Sequence, residues 1–125
     1  MKGPVVLVVE DNEQNLELVE YLLEEAGFLV RAARDAAAAR TSLAEVWPAL
    51  VLLDVNLPGE DGLSLAAWIR STPNGRALPV VALTALAMRG DRERILEHGF
   101  SGYIAKPIEP ARFVAQVRSY LPGSE

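Results

Sequence analysis

LVLLDVNLPGEDG, residues 50–62, starts as an apolar run, stops at the acid Asp54, and leads to Asp61–Gly62, which opens a helix. A short apolar run without alternation is the pattern of a strand buried on both faces of a parallel sheet. The pattern recurs outward in both directions. Pro4–Val9 ends in Glu10–Asp11, Pro79–Leu83 ends in Thr84, and the shorter Gly102–Ala105 ends in Lys106. Phe28–Ala32 is a weaker strand candidate.

Helical periodicity fills the gaps. Leu16, Val19, Leu22, Leu23 and Ala26 form one apolar stripe, which Gly27 stops. Asp35 can cap the alanine-rich stretch that runs to Trp47–Pro48. The helix from Asp61–Gly62 reaches about Arg70, and a loop from Ser71 to Gly75 follows. Met88–His98 is a fourth helix, stopped by Gly99. Pro110 suits the first turn of a fifth, with the stripe Phe113, Val117, Tyr120 and Leu121. The order βαβαβαβαβα predicts an α/β domain, a doubly wound five-stranded parallel sheet with right-handed crossovers.

The 125 residues suit one domain over 1–125, and half of them are apolar, enough for a real core. No apolar run approaches the ~20 residues that span a bilayer. Lys2 is the only charged residue before the first apolar run and acids follow it, so the N-terminus makes a poor signal peptide. With no Cys there is neither disulfide framework nor thiolate metal site, which fits a cytoplasmic protein. A net charge of −5 speaks against nucleic acid as the main partner.

In an open parallel sheet, ligands bind beyond the carboxyl ends of the strands. Glu10, Asp11, Asp54, Thr84 and Lys106 stand there, each directly after an apolar run. Converging carboxylates repel, and a hard divalent cation with oxygen ligands, Mg²⁺ or Mn²⁺, relieves that repulsion. Lys106 adds a positive charge for a phosphoryl oxygen, and Thr84 a hydroxyl donor. An Asp so placed can attack phosphorus and form an aspartyl phosphate. Singly, each residue has a plainer reading: Glu10 and Asp11 as helix caps, Asp54 as a turn cap, Lys106 as a solvated lysine. Together on one sheet edge they point to a site. His98, before Gly99, reads as structural, and Trp47 and Trp68 as packing residues on helices.

The chain resembles the receiver domains of bacterial response regulators. VVLVVEDNEQN (5–15), LVLLDVNLPGEDG (50–62), VVALTALAM (80–88) and GYIAKPI (102–108) carry the resemblance, which runs from about Val5 to Leu121. The spacings fit as well: 43 residues from Asp11 to Asp54, 30 to Thr84 and 22 to Lys106. The NEQN and TALAM segments look most like single-domain regulators of the cell-division type and like receivers of hybrid kinases.

The resemblance implies a flavodoxin-like (βα)5 receiver fold and a role for each matching residue. Asp54 is the phosphoacceptor, Asp11 a direct Mg²⁺ ligand, and Glu10 its neighbour, often acting through water. Asn56 offers its backbone carbonyl to the metal. Thr84 and Lys106 sense the phosphoryl group, Tyr103 is the aromatic switch residue, and Pro107 follows a cis bond. The family often has Asp where Glu10 stands. The implied partners are a histidine kinase or phosphotransfer protein, and a downstream protein reading the face of the fourth helix, last strand and fifth helix. In the family the positions two after the acceptor and two after the threonine flank the route of the attacking water. Leu86 offers nothing to hold that water, whereas Asn56 could, and relatively slow loss of the phosphoryl group is the expectation.

Other readings are weaker. A receiver cut from a hybrid kinase or multidomain regulator would look the same, although Met1 close to the first strand favours a stand-alone protein. An Asp-nucleophile phosphohydrolase needs a second Asp two places on, where Asn56 stands. A flavodoxin-like cofactor binder needs a Thr/Ser/Gly-rich phosphate loop after the first strand, where Glu10–Asp11 would repel phosphate. A pseudo-receiver would have lost one of the key groups.

Overall fold

The computed structural model describes residues 3–85 and 89–121. Its elements are β1 (Val5–Val9), α1 (Glu13–Glu25), β2 (Leu29–Ala33), α2 (Ala36–Glu45) and β3 (Leu50–Asp54), followed by α3 (Gly62–Ser71), β4 (Val80–Thr84), α4 (Arg89–Glu97), β5 (Gly102–Ala105) and α5 (Pro110–Arg118). All strand pairs are parallel, in the order β2-β1-β3-β4-β5. This is the doubly wound sheet that the apolar runs predict, with its switch point between β1 and β3.

The sheet separates two cores. Val51, Leu53, Val80 and Ala82 pack with residues of α2, α3 and α4. The alternate residues Leu50, Leu52, Val81 and Leu83 pack with α1 and α5, around Leu23, Phe113 and Val117. Strands buried on both faces have no polar side to show, which is why β1, β3 and β4 read as unbroken apolar runs. The edge strand β2 is only partly buried, hence its weaker signal.

β3 and β4 each run one residue further than their apolar stretch. Asp54 pairs with Leu83 and Thr84 with Ala105, so both functional candidates are held in the ladder itself rather than in a loop. Helix starts are capped locally. Asn12, Asp35 and Asp61 accept the amides of Asn15, Ala38 and Ser64. Capping by Glu10 or Asp11 is thereby corrected: Asn12 is the N-cap of α1, and both acids stand before it.

At the sheet edge away from Asp54, Arg70 of α3 donates to three backbone carbonyls: Gly99 (2.7 Å), Gly75 and Leu78 (2.5 Å each). It also reaches Ser101 Oγ at 3.2 Å. Gly99 has φ +95, and a Cβ there would stand 2.8 Å from Arg70 Cγ. Glycine is therefore required twice over, for the left-handed turn after α4 and for the approach of Arg70. His98 Nδ1 lies 2.8 Å from the Arg94 carbonyl at the end of the same helix, a structural role.

Trp47 and Trp68 depart from the reading as packing residues on helices. Trp47 follows α2 and is 43% exposed. Trp68 is on α3 but 38% exposed, with the Arg40 guanidinium 5.0 Å from its ring centroid. The α3 core positions are already taken by Leu65, Ala66 and Ile69, so Trp68 falls on the helix flank.

Candidate functional site

The carboxyl ends of β1 and β3 bring the acids together. Glu10 follows β1, and its amide donates to Ala33 O at 2.9 Å, so the backbone there is fixed. Glu10, Asp11 and Asp54 each offer a carboxylate oxygen within 4.8 Å of the others. Glu10 is wholly buried, Asp54 is 4% exposed, and Asp11 lies open to solvent. Two buried acids and one exposed acid form a pocket with a solvent side.

Lys106 enters from the end of β5. Its Nζ donates to Asp54 Oδ2 at 3.1 Å. It also lies 2.9 Å from Glu10 Oε1, an ion-pair contact off the hydrogen-bond axis. Oε1 is thus buried without an aligned donor among the described residues. The Lys106 amide donates to Thr84 O at 2.8 Å, and the Lys106–Pro107 peptide bond is cis. The other acid oxygens are oriented by amides: Asn12 N–H donates to Glu10 Oε2 at 3.1 Å and Asn56 N–H to Asp54 Oδ1 at 2.9 Å.

Burial pushes the Glu10 carboxyl above the ordinary carboxylate range, and nearby Asp54 adds to the push against the opposing Lys106 and Asn12 amide. Burial alone would lower the Lys106 ammonium. The close contact with Glu10 and the attraction of both acids outweigh it and hold the ammonium above the ordinary lysine range. Among the described residues one fixed cation thus serves an excess of anionic oxygens, and the unmatched charge defines what the pocket can accept.

The oxygens present fit a hard divalent cation. They are carboxylates of one pocket, one carries a buried unaligned atom, and among the described residues no nitrogen or sulfur ligand belongs to the group. Thr84 ends β4 beside this pocket and is 1% exposed. It shares a strand face with Val80 and Ala82, the face toward α4. Tyr103 is half-buried against the same core, with the Arg92 guanidinium 5.5 Å from its ring. Asn56 is exposed directly after the β3 end. Leu86 and Met88 lie outside the described residues.

Sequence reading missed the pairing of Arg40 on α2 with Glu60 in the loop that follows Asp54. They form a two-bond fork, Nη1–Oε1 and Nη2–Oε2, each 2.5 Å. Nothing in the chain announces a pair separated by 20 positions. Asn12 was signalled only by the general preference of helix starts for Asn.

Residues 6–118 match the family described as the response regulator receiver domain. The polar-differentiation response regulator DivK of Brucella ovis is 40% identical over 116 residues, covering 93% of this chain and 94% of that one. A crystal structure of a putative response regulator from Chloroflexus aurantiacus superposes with a TM-score of 0.90 at 33% identity, over 95% of this chain and 98% of that one. The receiver domain of a sensor histidine kinase from Pseudomonas aeruginosa gives a TM-score of 0.86 at 36% identity, over 94% of this chain and 97% of that one. That structure holds a magnesium ion coordinated in its active site cleft.

Proposed function

The chain belongs to the response regulator receiver domain family of two-component signalling, and we propose from this that Asp54 is its phosphoacceptor. The carrying observation is Lys106 Nζ set between Glu10 and Asp54 in a pocket of three acids. In the proposed reaction an Asp54 carboxylate oxygen attacks the phosphorus of a phosphohistidine on a histidine kinase or phosphotransfer protein. The P–N bond breaks, the imidazole leaves, and an aspartyl phosphate forms. Asp11, Asp54 and the Asn56 carbonyl would hold Mg²⁺ or Mn²⁺, with Glu10 beside them. Bound there, the cation neutralises charge on the transferring group. Lys106 exchanges its Asp54 contact for a phosphoryl oxygen, and Thr84 donates its hydroxyl to another. The domain spans 1–125 and works in the cytoplasm. No helix among the described residues is long and apolar enough to cross a membrane.

The test is phosphoryl uptake from acetyl phosphate, read by intact mass. Uptake is expected with Mg²⁺ and not with a chelator; uptake independent of metal would sink the proposal.

The same site predicts stabilisation by metal. A ligand that binds only the folded state at ten times its dissociation constant adds about 1.4 kcal/mol. The melting temperature should rise with Mg²⁺, and much less in Asp11→Ala, which lacks an open ligand. A wild-type curve indifferent to Mg²⁺ counts against the site.

Output is proposed to pass through Thr84 and Tyr103 to the surface of α4, β5 and α5, for a downstream protein. Support comes from their common strand face toward α4 and from the thin anchoring of that helix. Among its described side chains Ile95 is buried, whereas Arg92, Glu93, Arg94, Leu96 and Glu97 are exposed. Beryllofluoride should change hydrogen exchange within 89–105. Changes limited to the loops around Asp54 would show that the signal takes another route.

A further inference from the structure

The loop from Val55 to Asp61 carries Asn56 and follows Asp54 directly, so its shape bears on the proposed metal site. Its two ends are well held. Val55 and Leu57 are buried in the α2–α3–α4 core, and Gly62 N donates to Val55 O at 2.9 Å. A Cβ at Gly62 would stand 2.4 Å from Asp54 O, so the helix start lies hard against the strand end. Between them, Pro58, Gly59 and Glu60 take no backbone hydrogen bond among the described residues. What holds this tip is the Arg40 fork on Glu60, reaching across from α2. The guanidinium is placed in turn by Trp68 of α3, 5.0 Å away. Arg40 keeps about a third of its side chain exposed, and so does Glu60.

We propose that Arg40, forked on Glu60 and stacked on Trp68, is a positioning residue for the loop that offers Asn56 to the metal. This rests on the metal site proposed above. A bidentate fork fixes direction as well as distance, which one ammonium cannot do. The three groups come from α2, the loop and α3, so the loop tip is tied to two helices at once.

Charge alone makes the opposite prediction. Removing the Arg40 cation leaves Glu60, in the loop that follows Asp54, uncompensated, which by simple attraction would tighten Mg²⁺ binding. Loss of positioning weakens it. The sign of the change therefore separates the two.

The experiment titrates MgCl₂ into the full chain by calorimetry, in a Trp47→Phe background so that Trp68 alone reports fluorescence. Arg40→Gln should weaken Mg²⁺ binding about fivefold, the low end of ordinary site-to-site coupling. Glu60→Gln should do the same, and the double variant should be no worse than either. Arg40→Lys should not restore affinity. Trp68 emission should respond to Mg²⁺ in the parent and less in Arg40→Gln. Metal-free melting should shift by only about 2 °C, because a partly exposed pair contributes little to stability. Equal or tighter Mg²⁺ binding in Arg40→Gln overturns the inference, as does full rescue by Arg40→Lys. If the parent itself binds no Mg²⁺, the metal site falls and this role falls with it.

Discussion

Asp54→Asn should abolish phosphoryl uptake from acetyl phosphate and at the same time make the metal-free protein melt higher. The first half follows from chemistry. An amide of nearly the same shape replaces the nucleophilic carboxylate and has no oxygen able to attack phosphorus at neutral pH. The second half follows from the charges. Asp54 is buried with Glu10 and near Asp11, and among the described residues one cation, Lys106, serves the group. Asparagine still accepts the Asn56 amide through its Oδ1, and Lys106 keeps Glu10 at 2.9 Å. What disappears is one buried negative charge facing two others. A gain of about 1 kcal/mol, or about 4 °C, is the expected scale for a domain of this size. Active sites commonly hold such stored repulsion, and removing it trades function for stability. Mass spectrometry gives the first answer and calorimetry in chelator the second. Undiminished labelling would falsify the acceptor assignment. A lower melting temperature would show that the Lys106–Asp54 attraction exceeds the repulsion.

Arg70→Ala should cause the largest loss of stability at a single side chain outside the two cores. Its guanidinium satisfies the carbonyls of Gly75, Leu78 and Gly99 and bonds Ser101 Oγ, which itself accepts the Val80 amide. These groups end α3 and α4 and begin β4 and β5. Burial holds the Arg70 guanidinium below its ordinary range, and no carboxylate pairs with it among the described residues. Carbonyl dipoles carry its charge instead. Truncation leaves several acceptors without their donor, each worth about 1–3 kcal/mol where water cannot replace it. A total of about 2–4 kcal/mol is expected, allowing for water reaching some of them. Arg70→Lys should recover little, since one ammonium cannot span the same carbonyls. Urea unfolding should show a lower midpoint at an unchanged slope. Mg²⁺ affinity should not move, because this latch lies at the sheet edge opposite the acids. A stability change below about 0.5 kcal/mol would mean that water serves these carbonyls as well as Arg70 does.

The fold was readable because its signals are local. Each buried strand is a run of neighbours with one polarity, and each helix start has its cap within a few positions, as with Asp35 and Asp61. The candidate site was readable for a related reason. In a parallel sheet every strand ends on the same edge, so residues that close successive apolar runs must meet. Glu10, Asp54, Thr84 and Lys106 obey that rule without any knowledge of side-chain packing. Asn12 was the exception at short range. Its neighbours Glu10 and Asp11 were the caps the sequence suggested, and only the backbone path after β1 selected Asn12 instead.

By itself, then, the sequence determined the element order, the parallel sheet, the identity of the strand-end residues and their chemical character. Tertiary structure alone decided which oxygen faces which cation. It set Lys106 against both Glu10 and Asp54, left Glu10 Oε1 buried without an aligned donor, and turned Trp68 outward under Arg40. It also paired Arg40 with Glu60 and Arg70 with the carbonyl of Gly99. The physical reason is reach. Strand and helix preferences act between neighbours and leave a periodic trace in the chain. A long guanidinium finds its acceptors only after two packed layers have fixed where every other group stands, and that leaves no pattern to read.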